Sequence, residues 1–465
     1  MEQGLRFLGL AGIYDPPRPE SRGAVLEATQ AGITTRMLTG DHPATASAIA
    51  KAVAILRDDH PKGAVMTGQQ FDALSEQEID ALPELPVVIA RCAPETKVRM
   101  VEALHRRKIW GMTRFAVMTG DGMLICERSC FRKLTHLCVT GVNDSPALKR
   151  ADVGVAMGLS GADVAKSVSD IVLADDNFAS ITRAIRKGRG TLMNLSKFLL
   201  YLLSGNIAEV LVLIVGLAFL NKDKVSVYPL SPVAALWINT IAAGPPALAL
   251  GLEPTAKDAM EKSPRAYKTI FTLWWYIDLI FYGILIGSLS IANFVIVVWG
   301  KGDGDLGINC NEGSYNNSCE TRKFLSESVV VLVVLTLILF LAIVYYGRGT
   351  TFATLTIILM VHSLECKHLE KSIFQMDLMD NKLLLWSAFA LSLSVFPVLY
   401  IPKISDYAFQ VLGLKWEWGI VFGMVLVYLV CTELYKMLRR RLNKEEVGGP
   451  KVTEKNLPRF ETIAP

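Results

Sequence analysis

Two hydropathy regimes divide the chain. Through about residue 190, short apolar runs alternate with stretches of helical period: runs at 6–13, 34–38, 87–91 and 115–118, with helical patterns at 19–31, 43–55 and 95–107. Short strands interleaved with helices predict a parallel α/β sheet. From Phe198 onward the apolar runs lengthen, to 198–220, 230–250, 271–299, 328–346, 383–401 and 416–438. Each approaches the roughly 20 residues that a helix needs to cross hydrocarbon. The pattern predicts an α/β domain over 1–190, an α-helical transmembrane bundle of about six spans over 191–440, and a tail over 441–465.

Composition agrees with that division. Hydrophobic residues make up 51% of the 465, and the mean hydropathy is +0.36, too apolar for an ordinary soluble enzyme. The net charge of +4 is small and dispersed, so nucleic acid has no electrostatic footprint to grip. Positive charge instead reports topology. Lys257, Lys262, Arg265 and Lys268 follow the second span, Lys367 and Lys371 precede the fifth, and Arg439-Arg440-Arg441 follow the last. These loops, the tail and the amino-terminal domain are therefore expected in the cytosol. No basic start followed by an apolar core opens the chain, so insertion is expected to rely on the internal spans.

The eight cysteines show no metal-ligand spacing. Cys310 and Cys319 flank a polar loop that the topology puts outside, where they are either bridged or free thiols. Asn316-Asn317-Ser318 in that loop fits a glycosylation sequon.

Candidate chemistry gathers where strands end. Thr39-Gly40-Asp41 and Thr119-Gly120-Asp121-Gly122 follow predicted strands, which puts small residues and carboxylates at the carboxyl edge of the sheet, where open α/β sheets bind ligands. A threonine hydroxyl with nearby backbone N–H groups can hold a phosphoryl oxygen. Asp121 and Asp144 offer the hard oxygens that Mg²⁺ prefers, with Asn143 able to orient the site. Lys97 lies in the first turn of a predicted helix, where by itself it reads as a solvated surface lysine. In the spans, Asn206 and Glu209 fall three apart and are expected to share a helix face. An ionisable residue inside a span is costly and points to function. Gly244-Pro245-Pro246 should break its helix and free backbone carbonyls. Trp416 and Trp418 suit an interfacial aromatic belt.

Several strings, in order along nearly the whole chain, resemble the P-type cation-transporting ATPases: Asp15-Pro16-Pro17-Arg18, Met37-Leu38-Thr39-Gly40-Asp41, Leu173-Ala174-Asp175-Asp176-Asn177-Phe178 and Ser204-Gly205-Asn206-Ile207-Ala208-Glu209. To these is added a divided loop. Gly120-Asp121-Gly122 and Val142-Asn143-Asp144-Ser145-Pro146-Ala147-Leu148 join into the Mg²⁺-holding motif of that family once 123–141 is set aside. Ile13-Tyr14-Asp15-Pro16-Pro17-Arg18 and Leu230-Ser231-Pro232 bring the likeness closest to the fungal sodium- or potassium-exporting branch, with calcium pumps next.

The resemblance implies a partial haloacid-dehalogenase-like phosphorylation domain followed by the membrane bundle, using ATP and Mg²⁺. It implies that Thr39, Gly40 and Asp41 hold the phosphoryl group, that Lys97 neutralises it, that Asp121, Asn143 and Asp144 serve the metal, and that Asp15 to Arg18 form a hinge. It implies a cation path through Asn206, Glu209, Asn239 and Glu365. The chain departs from the pattern at Ala242 and Ala243, where calcium pumps carry threonine and aspartate. Fewer oxygens favour a monovalent cation, Na⁺ or K⁺, over calcium. A plasma-membrane location follows from the same likeness.

Family members phosphorylate the aspartate of Asp-Lys-Thr-Gly-Thr, and no such string occurs here. The expectation is the carboxyl-terminal half of an export pump, unable to turn over alone, with a complementary pump half as the partner that could complete it. A non-enzymatic membrane subunit pairing with pump halves is the reading from another class. Residues 123–141 read like translated intron: Gly122-Met123, Leu134-Thr135 and Thr140-Gly141 can be coded as donor, branch point and acceptor. The alternative is a real loop that bulges outward and lets its ends meet. A second suspect insertion covers 323–349. If 328–346 and 352–366 both crossed the bilayer, seven spans would put Arg439 to Arg441 outside, so one of the two should lie off the family path, the earlier being less family-like.

Overall fold

The computed structural model describes residues 17–442 except 62, 110–111, 114, 120–122, 128–135, 138–144, 160, 220–227, 262–269 and 302–342. They form two compact units, one within Met1–Gly190 and Thr255–Thr269, the other within Thr191–Pro254 and Ile270–Lys451.

In the first unit, helices α1 (Pro19–Gln30), α2 (Pro43–Ala52) and α3 (Pro94–Arg106) all begin with proline. Its fixed φ suits the first turn, and its missing N–H would have no partner there. The strands are β1 (Ile33–Leu38), β2 (Val65–Thr67), β3 (Val88–Ala90), β4 (Phe115–Thr119), β5 (Met123–Glu127), β6 (Val153–Met157) and β7 (Ile171–Leu173). They lie in the order β7-β6-β4-β5-β1-β3-β2, with the short strand His136–Leu137 also pairing with β6. Successive side chains alternate between two cores. Ile33, Met37, Val88 and Ala90 join Val25, Ala28, Phe178 and Ile181 on one face. Leu38 and Ile89 join Met100, Leu104 and Ala116 on the other.

The sheet is mixed, where the hydropathy pattern predicts a parallel one. β1 with β3, β2 with β3, β4 with β6 and β6 with β7 are parallel. β5 runs antiparallel to both neighbours, pairing Met123 with Thr119 and Met37, and Glu127 with Phe115 and Ile33. The opening residues of the 123–141 stretch are therefore built into the middle of the sheet and do not bulge away from it. Met123-Leu124-Ile125-Cys126 is apolar and strand-competent, and Gly120-Asp121-Gly122 before it has the composition of a tight hairpin.

The second unit is a helical bundle. Among the described residues, five helices are long and apolar enough to cross a membrane: Phe178–Gly216, Pro232–Gly251, Leu273–Gly300, Lys382–Tyr400 and Trp418–Leu442. We label the bundle helices α4 (Phe178–Gly216), α5 (Pro232–Trp237), α6 (Gly244–Gly251), α7 (Leu273–Lys301), α8 (Ile343–Glu365), α9 (Lys382–Leu393), α10 (Val395–Tyr400) and α11 (Trp418–Leu442). The more polar α8 is the interior helix, since no residue from 344 to 369 is exposed. Of the two rival segments, 352–366 thus belongs to the bundle interior, while 328–342 lies outside the described residues.

Small residues bring the helices close, as expected where lipid supplies no hydrophobic drive between them. On α7, a Cβ at Gly283 would come within 2.5 Å of Ile207 Cγ2, and one at Gly287 within 2.8 Å of Leu211 Cδ2 and 3.0 Å of the Ala208 carbonyl. These two glycines seat α7 on the turns of α4 that flank Glu209. At one margin of the bundle Trp418 stacks on Phe396 at 4.9 Å and donates its indole N–H to Tyr400 Oη at 2.8 Å. Trp416 is 63% exposed, the disposition an aromatic belt requires.

Candidate functional sites

The carboxyl edge of the sheet draws two strand-exit loops together. Thr39 N–H donates to the Ile89 carbonyl at 3.0 Å, Cys92 N–H to the Thr39 carbonyl at 2.9 Å, and Arg91 N–H to the Asp41 carbonyl at 3.0 Å. Arg91 adopts the left-handed region with φ 52°, which turns the β3 exit toward α3. Thr39 Oγ1 donates to Asp41 Oδ2 at 2.9 Å and accepts from Asp41 N–H at 3.2 Å. This closes a compact turn whose Gly40 and Asp41 are exposed. Lys97, which the sequence alone reads as a surface lysine, is buried in the first turn of α3. Beside it Thr96 Oγ1 accepts from Ala93 N–H at 3.2 Å and donates to Asp72 Oδ2 at 2.5 Å.

β4 ends at Thr119 on this same edge, because β5 is antiparallel to both β4 and β1. The expected metal residues Asp121, Asn143 and Asp144 lie outside the described residues, and among those described no trio of His, Cys, Asp or Glu converges. What the edge offers is a hydroxyl, exposed backbone and a carboxylate on a rigid turn, chemistry suited to a phosphoryl oxygen or its metal.

Of the hinge string, Asp15 and Pro16 lie outside the described residues. Arg18 donates from Nη1 to the Asp175 carbonyl at 3.1 Å. The Asp175 carboxylate accepts from Ser180 Oγ at 2.5 Å and from Asn177 N–H at 3.2 Å. The Ser180 hydroxyl, with smaller help from these amides and Arg183, holds the Asp175 carboxyl below its ordinary value.

In the bundle, Glu209 on α4 is 4% exposed. Its Oε2 accepts from Asn239 Nδ2, and its Oε1 has no hydrogen-bond partner among the described residues. Asn239 sits in a wide π-helical turn, Ile238–Ala242, between α5 and α6, closed by Ala243 N–H donating to the Ile238 carbonyl at 2.8 Å. Pro245 and Pro246 explain the turn: without N–H groups they leave the carbonyls of Ile241 and Ala242 no α-helical donor. Such π-turns recur at functional sites.

The other two expected path residues are placed differently. Asn206 is exposed, on another side of α4 from Glu209. The interior stripe of that helix runs through Ser204, Gly205, Ala208, Glu209 and Val212. Position 206 falls off its edge, so a spacing of three did not suffice to put both polar groups on one face. Glu365, at the end of α8, is 1% exposed, and its carboxylate is taken up by Lys436 of α11.

Three buried groups escaped the sequence reading. Lys436 is one. Asp278 on α7 is another, accepting from Arg439 Nη1 at 2.5 Å and from Tyr435 Oη at 2.6 Å. The third is His362 on α8, whose ring nitrogens meet Ser204 Oγ at 2.8 Å and Tyr428 Oη at 2.7 Å. The signal for Asp278 and Lys436 was present, since both are ionisable residues inside predicted apolar runs, the same criterion that singled out Glu209.

Comparison with known proteins agrees with this architecture. The family of cation transporting ATPase carboxyl termini matches residues 227–438. A sodium/potassium exporting P-type ATPase of Schizosaccharomyces pombe is 41% identical over 96% of this chain and 41% of its own length. One from Saccharomyces cerevisiae is 42% identical over 96% of this chain and 38% of its own. A calcium-transporting ATPase of Bacillus subtilis is 34% identical over 91% of this chain and 40% of its own. This sequence thus spans about two fifths of the length of the curated relatives it matches, and it belongs to the P-type cation-transporting ATPases, as their membrane-helix-rich carboxyl-terminal region.

Proposed function

We propose that this chain carries the cation path and part of the phosphorylation domain of an ATP-driven pump that exports Na⁺ or K⁺ across the plasma membrane. The observation that carries the reading is the state of Glu209. Asp278 and Glu365 each hold a basic partner, Arg439 and Lys436, whereas Glu209 has only the neutral Asn239; its Oε1, like that of Glu365, has no hydrogen-bond partner among the described residues. A buried carboxylate without a counter-charge is costly, and one dehydrated monovalent cation offsets one such charge. Asn239 and the carbonyls freed at the π-turn supply neutral oxygens. Ala242 and Ala243 supply none from their side chains, which disfavours a divalent ion.

At the sheet edge, Thr39 and the Gly40–Asp41 backbone would hold a phosphoryl oxygen and Lys97 would balance its charge, in a partial haloacid-dehalogenase-like domain. Mg²⁺ at Asp121, Asn143 and Asp144 would neutralise phosphate charge during transfer. The nucleophilic aspartate must come from outside this sequence, from the rest of a longer polypeptide or from a complementary half. ATP, Mg²⁺ and Na⁺ added to the purified chain should give no acyl-phosphate, and adding a polypeptide that carries Asp-Lys-Thr-Gly-Thr should give one on that partner. An alkali-labile phosphate on this chain alone would overturn the reading.

A further inference from the structure

One strand of the α/β sheet runs against the rest. Among the described residues, β1 with β3, β3 with β2, β4 with β6, β6 with β7 and the short strand His136–Leu137 with β6 all pair in parallel. β5 alone is antiparallel to its neighbours, and it lies between β1 and β4. Met123 stands between Met37 and Thr119, and Glu127 between Ile33 and Phe115. β1 and β4 are therefore parallel to each other. Both end at the carboxyl edge, β1 at Leu38 just before the Thr39 turn and β4 at Thr119. A parallel strand in the slot between them would deliver its last residue to that edge, where open α/β sheets bind ligands. Adjacent strands lie about 4.8 Å apart, so that residue would stand about 5 Å from the ends of both neighbours. Antiparallel β5 instead brings its first residue, Met123, to this edge and places its one acidic residue, Glu127, at the opposite end.

We propose that β5 is a placeholder strand: it fills the slot that receives, by strand exchange, an extended segment carrying the nucleophilic aspartate at its carboxyl end. The inference rests on the reading that the nucleophile comes from outside this sequence, and it names where that segment docks. An aspartate delivered through this slot would emerge between Thr39 and Thr119, within reach of a phosphoryl group held at the Thr39 turn. An added strand draws its affinity from main-chain hydrogen bonds to its neighbours. β5 takes up those bonds on the facing sides of both β1 and β4, so the two occupants exclude each other. β5 also has the kinetic advantage. Only residues 120–122 separate it from β4, so closing that pair costs little loop entropy and precedes pairings of longer range. The unit is thereby closed to its partner segment until β5 leaves.

The test uses the full chain in detergent and a fluorescent peptide of five β-branched residues followed by Asp-Lys-Thr-Gly-Thr, supplied up to about millimolar, the effective concentration of a short tether. Peptide should speed amide hydrogen exchange in 123–127 while 33–37 and 115–119 stay protected. Ile125→Pro removes a ladder donor from the middle of β5. By raising the fraction of chains with an open slot, it should tighten peptide binding, read by anisotropy, about tenfold or more. A folded Ile125→Pro that binds the peptide no more tightly than the unmodified chain would overturn the proposal, as an ordinary structural strand predicts. If Ile125→Pro does not fold, the unmodified chain decides alone: peptide-induced exchange in 123–127 supports the proposal, and full protection of 123–127 at saturating peptide overturns it. Replacing the aspartate of the peptide by asparagine separates the two readings. That peptide cannot form an acyl-phosphate, yet it should release β5 within about twofold of its parent, because main-chain bonds carry the affinity. A parent peptide that releases β5 and is never phosphorylated would count against the phosphoryl chemistry proposed above and leave the docking slot in place.

Discussion

Asn239 donates its side-chain amide to Glu209 Oε2, joining a π-helical turn to the buried stripe of α4. The other carboxylate oxygen is left without a partner among the described residues. Removing the donor isolates the charge further. Asn239→Ala should destabilise the bundle by about 1–3 kcal/mol, the cost of leaving a buried acceptor unsatisfied, and weaken cation binding with it. Thermal unfolding in detergent, with and without sodium, measures both; an unchanged midpoint would place Glu209 in a wetter setting than the packing indicates.

Close approach of α7 to α4 depends on having no side chain at Gly283 and Gly287. Gly287→Leu must displace Leu211 or the Ala208 backbone and should cost about 1–3 kcal/mol or more through overpacking. The damage should spread to Glu209, which sits between those two contacts on α4. Loss of midpoint accompanied by loss of sodium binding is the expected pair; a stable variant with intact binding would show that α7 does not position the site.

Asp175 gives the α/β unit an acid-sensitive contact. Because Ser180 holds the folded carboxyl below the ordinary aspartate value of 3.8, the stabilisation is fully present above that value and is lost as pH falls through the lower folded value. Ser180→Ala should lower stability at neutral pH and flatten the loss below pH about 4, because the folded and unfolded values then converge. Amide hydrogen exchange in the 171–183 region at several pH values reads this directly. An unaltered pH dependence would show that the hydroxyl does not hold the carboxylate in solution.

Much of the α/β fold was legible because its boundaries are chemical. Pro19, Pro43 and Pro94 fix helix starts, the strand at 115–118 is an apolar run, and the strand at 34–38 leads from β-branched residues into Met37-Leu38 and the Thr39-Gly40-Asp41 turn. Val65–Thr67 and Ile171–Leu173 are too short to announce themselves, and although Met123–Cys126 is strand-competent in composition, a single sequence does not say that it enters the sheet between two strands far from it in the chain. In the bundle, Glu209 was legible as an ionisable residue in a span, and Asn239 through the resemblance. Asn206 is exposed beside the buried stripe of α4 that carries Glu209, a placement within the helix turn that a spacing of three leaves open. Arg439 was read as a topological charge, yet it reaches back to Asp278; a helix-end cation can serve either role, and which one it takes depends on a partner helix that a single sequence does not reveal.

The strand Met123–Glu127 also sharpens the question of residues 123–141. It separates β4 from β1, and with them the ends of these strands at Thr119 and Leu38. If the stretch is retained intron, mature message should join the codons for Gly122 and Val142, and the shortened protein should lose β5. Retention of the stretch in all mature message would make that strand a true part of the fold.

Sodium binding to the purified full chain, compared with Glu209→Gln, probes the ion path most directly. The account predicts saturable sodium binding that weakens by about tenfold or more in Glu209→Gln, with little calcium binding in either protein. Calcium bound more tightly than sodium, or sodium bound equally well by both proteins, would show that this carboxylate does not receive the transported cation.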